Sequence, residues 1–291
     1  MRRSSGLTLL EILIALFVFG IVAAMATSGV TSSLRVQALN EASTSAQAKL
    51  RRITEVFTQE LRSAVLGGIT NLPYASNSSQ ISFLLLDGGA GYQVVDKAGS
   101  FSSRAYVDLA PTGALSDVAY LNGREILLVN NAGEAYVMRV TGVANNSSNG
   151  MATYRLNHAG CSNTIAFTPN TLVLSVRSLG LRYDGSSGSL LQRDAGGAAQ
   201  TLAFDMDGLE LEYVYQYADG TPIVRTTPLL EGSVPVRRGL ISGQMATLTR
   251  VQVTVSASEN QGAGREVTRS YMGQVEMSTN PSFQINRVRT C

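Results

Sequence analysis

The 291-residue sequence predicts an α+β protein: one long N-terminal helix, apolar in its first half and amphipathic in its second, packed on an antiparallel β-sheet head. Three observations lead there. Residues 7–26 read LTLLEILIALFVFGIVAAMA, an apolar run with a single charge, Glu11. From Leu34 onward, apolar and small residues recur every three or four positions as far as Ala64. Beyond about residue 72 the rhythm changes to short alternating segments separated by Gly, Asn and Asp.

At about 1.5 Å per residue, residues 7–26 are long enough to cross a bilayer core of roughly 30 Å. Arg2 and Arg3 precede the run and place the N-terminus on the cytoplasmic side, with everything after residue 30 outside. No small-residue A-x-A site closes the run, so a conventional secretory signal fits poorly. After a weak small-residue patch at 27–33, Leu34, Ala38, Ala42, Ala46, Leu50, Ile53, Phe57 and Leu61 form one helical stripe, and Gly67-Gly68 supplies a stop signal. The expected helix covers 7–66, with 7–26 in the membrane, and a β-rich head covers 67–291.

Strands are expected at 81–86, 125–129, 135–140, 172–178, 209–217, 247–256 and 267–276. Val251, Val253 and Val255 alternate with polar residues, so that strand has one buried and one wet face, and Leu209, Leu211, Tyr213, Tyr215 and Tyr217 share a face of theirs. Residues 131–133 and 184–188 read as hairpin turns, and 144–150 and 196–200 as surface loops. No internal repeat is present.

Composition narrows the function. Charged residues make up 15% of the chain, against roughly 25% in an average soluble domain, and polar uncharged residues fill the difference, as suits an exported β-rich surface. One histidine and two cysteines cannot furnish four His/Cys ligands to zinc. The net charge of +2 gives no general reason for a nucleic-acid partner. Removing residues 1–6 takes two of the 23 basic side chains and leaves 21, equal to the 21 acidic ones.

Gly6-Leu7-Thr8-Leu9-Leu10-Glu11, behind a basic leader and ahead of an apolar run, resembles the processing site of type IV prepilins and type II secretion pseudopilins. The resemblance implies cleavage of the 1–6 leader between Gly6 and Leu7 by a prepilin peptidase, and N-methylation of Leu7. Phe is usual at that first mature position, and Leu7 is another large apolar residue. It also implies that Glu11 pairs with the amino terminus of a neighbouring subunit and sets the register of assembly. A carboxylate in a membrane helix costs roughly 2.5 kcal/mol or more, which makes it rare without such a partner. The alternative is an ordinary signal anchor with an accidental glutamate. The later order of 57–64, 81–84, 181–193 and 209–220 is similar to large minor pilins, the W-type of type IV pili and its secretion counterpart, the J-type pseudopilin. That similarity implies a low-abundance subunit near a filament tip, assembling with other minor pilins, the major pilin and an inner-membrane platform, with its head first periplasmic and then at the cell surface. The other class is a DNA-capturing tip pilin.

Cys161 and Cys291 form a candidate disulfide in an oxidising compartment, closing a loop of about 130 residues for about 4–5 kcal/mol in the chain-entropy model; two unpaired thiols are the alternative. No enzyme, cofactor or metal site is expected. His158 near Cys161 reads as a surface-loop histidine, the carboxylates at 205–210 as a turn rather than a calcium loop, and 262–264 as a hairpin connection. Arg237-Arg238, Arg287 and Arg289 are the basic clusters a DNA-binding reading would use, with Tyr213, Tyr215 and Tyr217 for stacking. Alternation instead turns those tyrosines toward the core.

Overall fold

The computed structural model describes residues 9–88, 91–95, 106–110, 116–148, 151–159, 171–260, 266–277 and 285–290. Helix α1 (Leu9–Arg62) is followed by β1 (Ala64–Thr70), β2 (Gln80–Leu86), β3 (Tyr92–Gln93), β4 (Tyr106–Leu109), the short α2 (Ser116–Ala119), β5 (Glu125–Val129) and β6 (Glu134–Ser148). Next come β7 (Met151–His158), β8 (Leu172–Asp184), β9 (Ser189–Asp194), β10 (Gln200–Ala203), β11 (Gly208–Tyr217) and β12 (Pro222–Arg225). The chain closes with β13 (Leu229–Glu231), β14 (Val234–Val236), β15 (Arg238–Ile241), β16 (Gln244–Asn260), β17 (Glu266–Glu276) and β18 (Arg287–Thr290). The expected α+β architecture is present, a long N-terminal helix on antiparallel sheet.

The helix ends earlier than its stripe suggests. Ser63 N donates to Gln59 O and Ser63 Oγ to Glu60 O, which satisfies carbonyls of the last turn, and Ala64 already pairs with Leu85. Gly67 and Gly68 fall inside β1, in the irregular stretch where the register slips between Ala64 and Ile69, rather than at a helix stop.

Two sheets replace the single sheet expected. Among the described residues a 13-stranded sheet runs β1-β2-β8-β5-β6-β18-β14-β13 with side branches, and a five-stranded sheet runs β12-β11-β16-β15 with β17 also on β16. One pair among these strands is parallel, β18 with β6. The segment 144–148, expected in a loop, continues β6 and pairs with 151–155 of β7: small polar residues suffice where a long hairpin supplies the backbone partners.

Alternation builds the core that α1 covers. Leu209, Leu211, Tyr213 and Tyr215 lie opposite Val255, Val253, Val251 and Leu248, all buried on one face. The step from Leu248 to Val251 spans three residues because a bulge at Thr249 takes up the extra one, its Oγ1 bonded to Val214 O at 3.1 Å. Leu50, Phe57 and Leu61 of α1 pack on these side chains and on Phe83, Leu179 and Leu181 of the larger sheet. Each such side chain contributes about 1.5–3 kcal/mol on burial. A second core joins β4, β5, β6 and β7 through Leu109, Ile126, Met138 and Leu156.

Candidate functional site

The membrane-proximal part of α1 presents its side chains to the surroundings. Its apolar 18-residue window has none of its residues buried within the protein, and Leu9, Leu10, Leu13, Phe17 and Phe19 are each 59–80% exposed. Glu11 stands in the first turn, where a carboxylate opposes the positive end of the helix dipole, and shares one helix face with Ile14, Ala15, Val18, Phe19 and Val22. Gly6 and Leu7 lie outside the described residues.

The burial of α1 begins at Ala46 and continues through Leu50, Thr54, Phe57 and Leu61. A close approach is at Gly273 of β17. A Cβ built there would stand 2.3 Å from Thr54 Cγ2 and 3.0 Å from Thr58 Cγ2, so the helix rests on bare backbone. Further toward the membrane, Arg269 Nε and Nη2 both donate to Ser43 Oγ at 3.2 and 3.1 Å. Sequence reasoning missed this seat; the signal was a glycine in the middle of a strand-forming run. On the other flank of α1, a cleft of about 710 Å³ opens between Ala48, Arg52, Val56 and Glu60 and the β9–β10 hairpin residues Leu190 and Leu202.

The remaining candidates sort by burial. Tyr213 and Tyr215 are fully buried, with Tyr213 Oη donating to Asn77 O at 3.0 Å and Tyr215 Oη donating to Val236 O at 3.2 Å while accepting from Leu229 N at 2.8 Å. Burial pushes the Tyr215 phenol up to about 12 and the Tyr213 phenol higher. Neither can stack on a base. Arg287 is tied to Glu134 and to Glu231, Arg289 Nη1 lies 3.3 Å from Tyr136 Oη, and Arg237 is 5% exposed with its pKa lowered by burial; only Arg238 of the four is exposed.

His158 departs from expectation. It ends β7, opposite Val140, at 3% exposure, so it is a core residue rather than a surface-loop one. Desolvation lowers its pKa, opposed by the contact of Nδ1 with Ala159 O at 3.2 Å. Two of the three carboxylates at 205–210 meet partners within the protein: Asp205 Oδ2 lies 3.9 Å from Lys49 Nζ, and Asp207 Oδ1 accepts from Ser258 Oγ at 2.6 Å. No cluster of three or more His, Cys, Asp or Glu suited to a metal occurs among the described residues. Cys161, Cys291 and 262–264 lie outside them.

An unclad apolar helix that runs unbroken into the core of a β-rich head is a pilin-like architecture, bare and long enough to cross a membrane in the first half of the helix and folded on the second. Residues 1–27 match the model of the prokaryotic N-terminal methylation motif, so the N-terminus is that of a type IV prepilin or pseudopilin-like subunit. The motif implies processing by a prepilin peptidase and assembly with other pilin-type subunits. No curated protein matches the chain, and no solved structure matches it.

Proposed function

We propose that the protein is a minor pilin of the W type, a low-copy subunit at or near the tip of a type IV pilus that helps to initiate filament assembly. The carrying observation is the methylation motif at 1–27 leading into one continuous helix that supports a head reaching to residue 290. A head with 18 strands among its described residues is large for repeated packing around a narrow filament, whereas a terminal subunit has nothing above it.

In this reading the peptidase cleaves between Gly6 and Leu7 on the cytoplasmic side, Leu7 is methylated, and the head is released into the periplasm and then to the surface. Glu11 then meets the new amino terminus of a neighbour within the membrane. An ion pair in that setting selects register more than it adds stability. The test is to express Gly6→Val and Glu11→Ala chains in a strain lacking the protein. The first retains its leader by mass spectrometry; the second is processed but fails to restore filaments. Normal piliation from Glu11→Ala, or immunogold label distributed along whole filaments, overturns the proposal.

A further inference from the structure

We infer that the open edge of β17 is a docking site for a β-strand supplied by a different pilin-type subunit. Among the described residues β17 pairs with β16 alone. The strands β10, β12, β13 and β15 at other margins have three or four residues, β12 opens with Pro222, and β1 has seven residues broken by a register slip. In contrast, β17 runs for 11 residues with neither proline nor lysine, an edge of roughly 36 Å at about 3.3 Å per residue. Proteins ordinarily blunt such edges, because a row of unpaired donors and acceptors is a template for another strand.

The direction of the free backbone groups is set by the register. Met277 N donates to Thr249 O at 2.7 Å, so alternation aims the odd positions of β17 at β16. It turns the N–H and C=O groups of Thr268, Ser270, Met272 and Gln274 outward. These four residues are exposed, as are Arg269 and Tyr271 between them. Tyr271 and Met272, 41% and 56% exposed, point to opposite faces at the centre of the edge, with Arg269 toward the membrane end and Glu276 toward the far end. The edge therefore fits an extended segment that is apolar at its middle and carries an acidic residue beside Arg269.

A second copy does not fit. β17 advances along α1 in the same sense, Arg269 meeting Ser43 and Gly273 meeting Thr54 and Thr58. Symmetric antiparallel pairing of two β17 edges would send the two apolar spans in opposite directions, which one membrane cannot hold. Parallel self-pairing must shift by one residue to mate donors with acceptors, which gives an asymmetric pair that consumes both β17 edges. It would place two copies side by side, against the low-copy role proposed for the subunit, on which the choice of partner rests.

The test uses the full chain in its own membrane, with a photo-crosslinking amino acid at Gln274. The expected adduct is with one other protein bearing an N-terminal methylation motif, and the crosslinked peptide maps to a strand of that partner's head. Ser270→Pro removes an outward N–H and leaves the bonds to β16, so it lowers the adduct at least tenfold at unchanged protein level. Met272→Lys keeps every backbone donor and lowers the adduct likewise, which covers the case in which the proline variant fails to accumulate. No adduct, an adduct to a second copy, an adduct to a partner's helix, or full yield from both variants overturns the inference. The mass of the N-terminus reads the processing step separately: a cleaved chain without adduct refutes strand docking alone, and an uncleaved chain refutes the prepilin processing.

Discussion

Gly273→Ala tests how the head holds its helix. The added Cβ would lie 2.3 Å from Thr54 Cγ2, where carbon atoms rest at about 3.5–4.0 Å, so helix and strand must part by more than an ångström or Thr54 must leave its rotamer. Thr54 is 3% exposed and has little room to turn. Overpacking of this kind costs about 1–3 kcal/mol. In a protein of this size, each kcal/mol lowers the melting temperature by about 2–4 °C. Thermal and urea denaturation of the full chain in detergent would measure it. Thr54→Ala removes the offending methyl and also a buried Oγ1 without a hydrogen-bond partner among the described residues, so alone it changes stability by less than about 1 kcal/mol. With both substitutions the nearest atom at position 54 is the Cβ, at 3.9 Å, and the double variant recovers at least about 1 kcal/mol of the loss. A Gly273→Ala chain that melts with the wild type, or a double variant whose losses simply add, refutes the seat described for α1.

Buried polar groups set two further outcomes. Tyr215→Phe leaves Leu229 N without its acceptor and destabilises the chain by about 1–3 kcal/mol, read as a lower urea midpoint at unchanged slope. His158 has a folded-state pKa below its unfolded value of 6.5, so the unfolded chain binds the proton first; stability is fully present above that value and falls as the pH drops through it. Melting curves between about pH 8 and pH 5 should therefore descend on the acid side, and His158→Leu should flatten the part due to this ring.

Much of this architecture was legible in the order of residues, and the remainder was hidden for physical reasons. The strand Glu125–Val129 can be read from its unbroken apolar run, which burial on both faces imposes, and β11 from its alternate apolar residues, which burial on one face imposes. The extension of β6 through Ala144–Ser148 was hidden, since small polar residues carry no periodicity and the pairing with β7 is made by backbone groups alone. The pair Gly67-Gly68 in the irregular stretch of β1 imitated a helix stop, as glycine serves in both settings. For the candidate site, the proposed cleavage pair Gly6-Leu7 and Glu11 rest on local spacing in the sequence. Gly273, Thr54 and Ser43 could not be read there, because their meeting is created by the path of β17 along a helix more than 200 residues earlier.

Between the apolar span ending near residue 26 and the first buried helical residue, Ala46, α1 is a rod of about 28 Å that the head touches at Ser43 through Arg269. In the proposed anchoring it is a stand-off: the head is held above the lipid surface at a height fixed by the number of helical turns rather than by contact with lipid. Adding one turn to this rod would lift every surface of the head by about 5.4 Å while leaving the grip at Thr54 and Gly273 intact. In the proposed filament, the level at which neighbouring heads meet is thus written into a length of helix that buries no side chain against its own head.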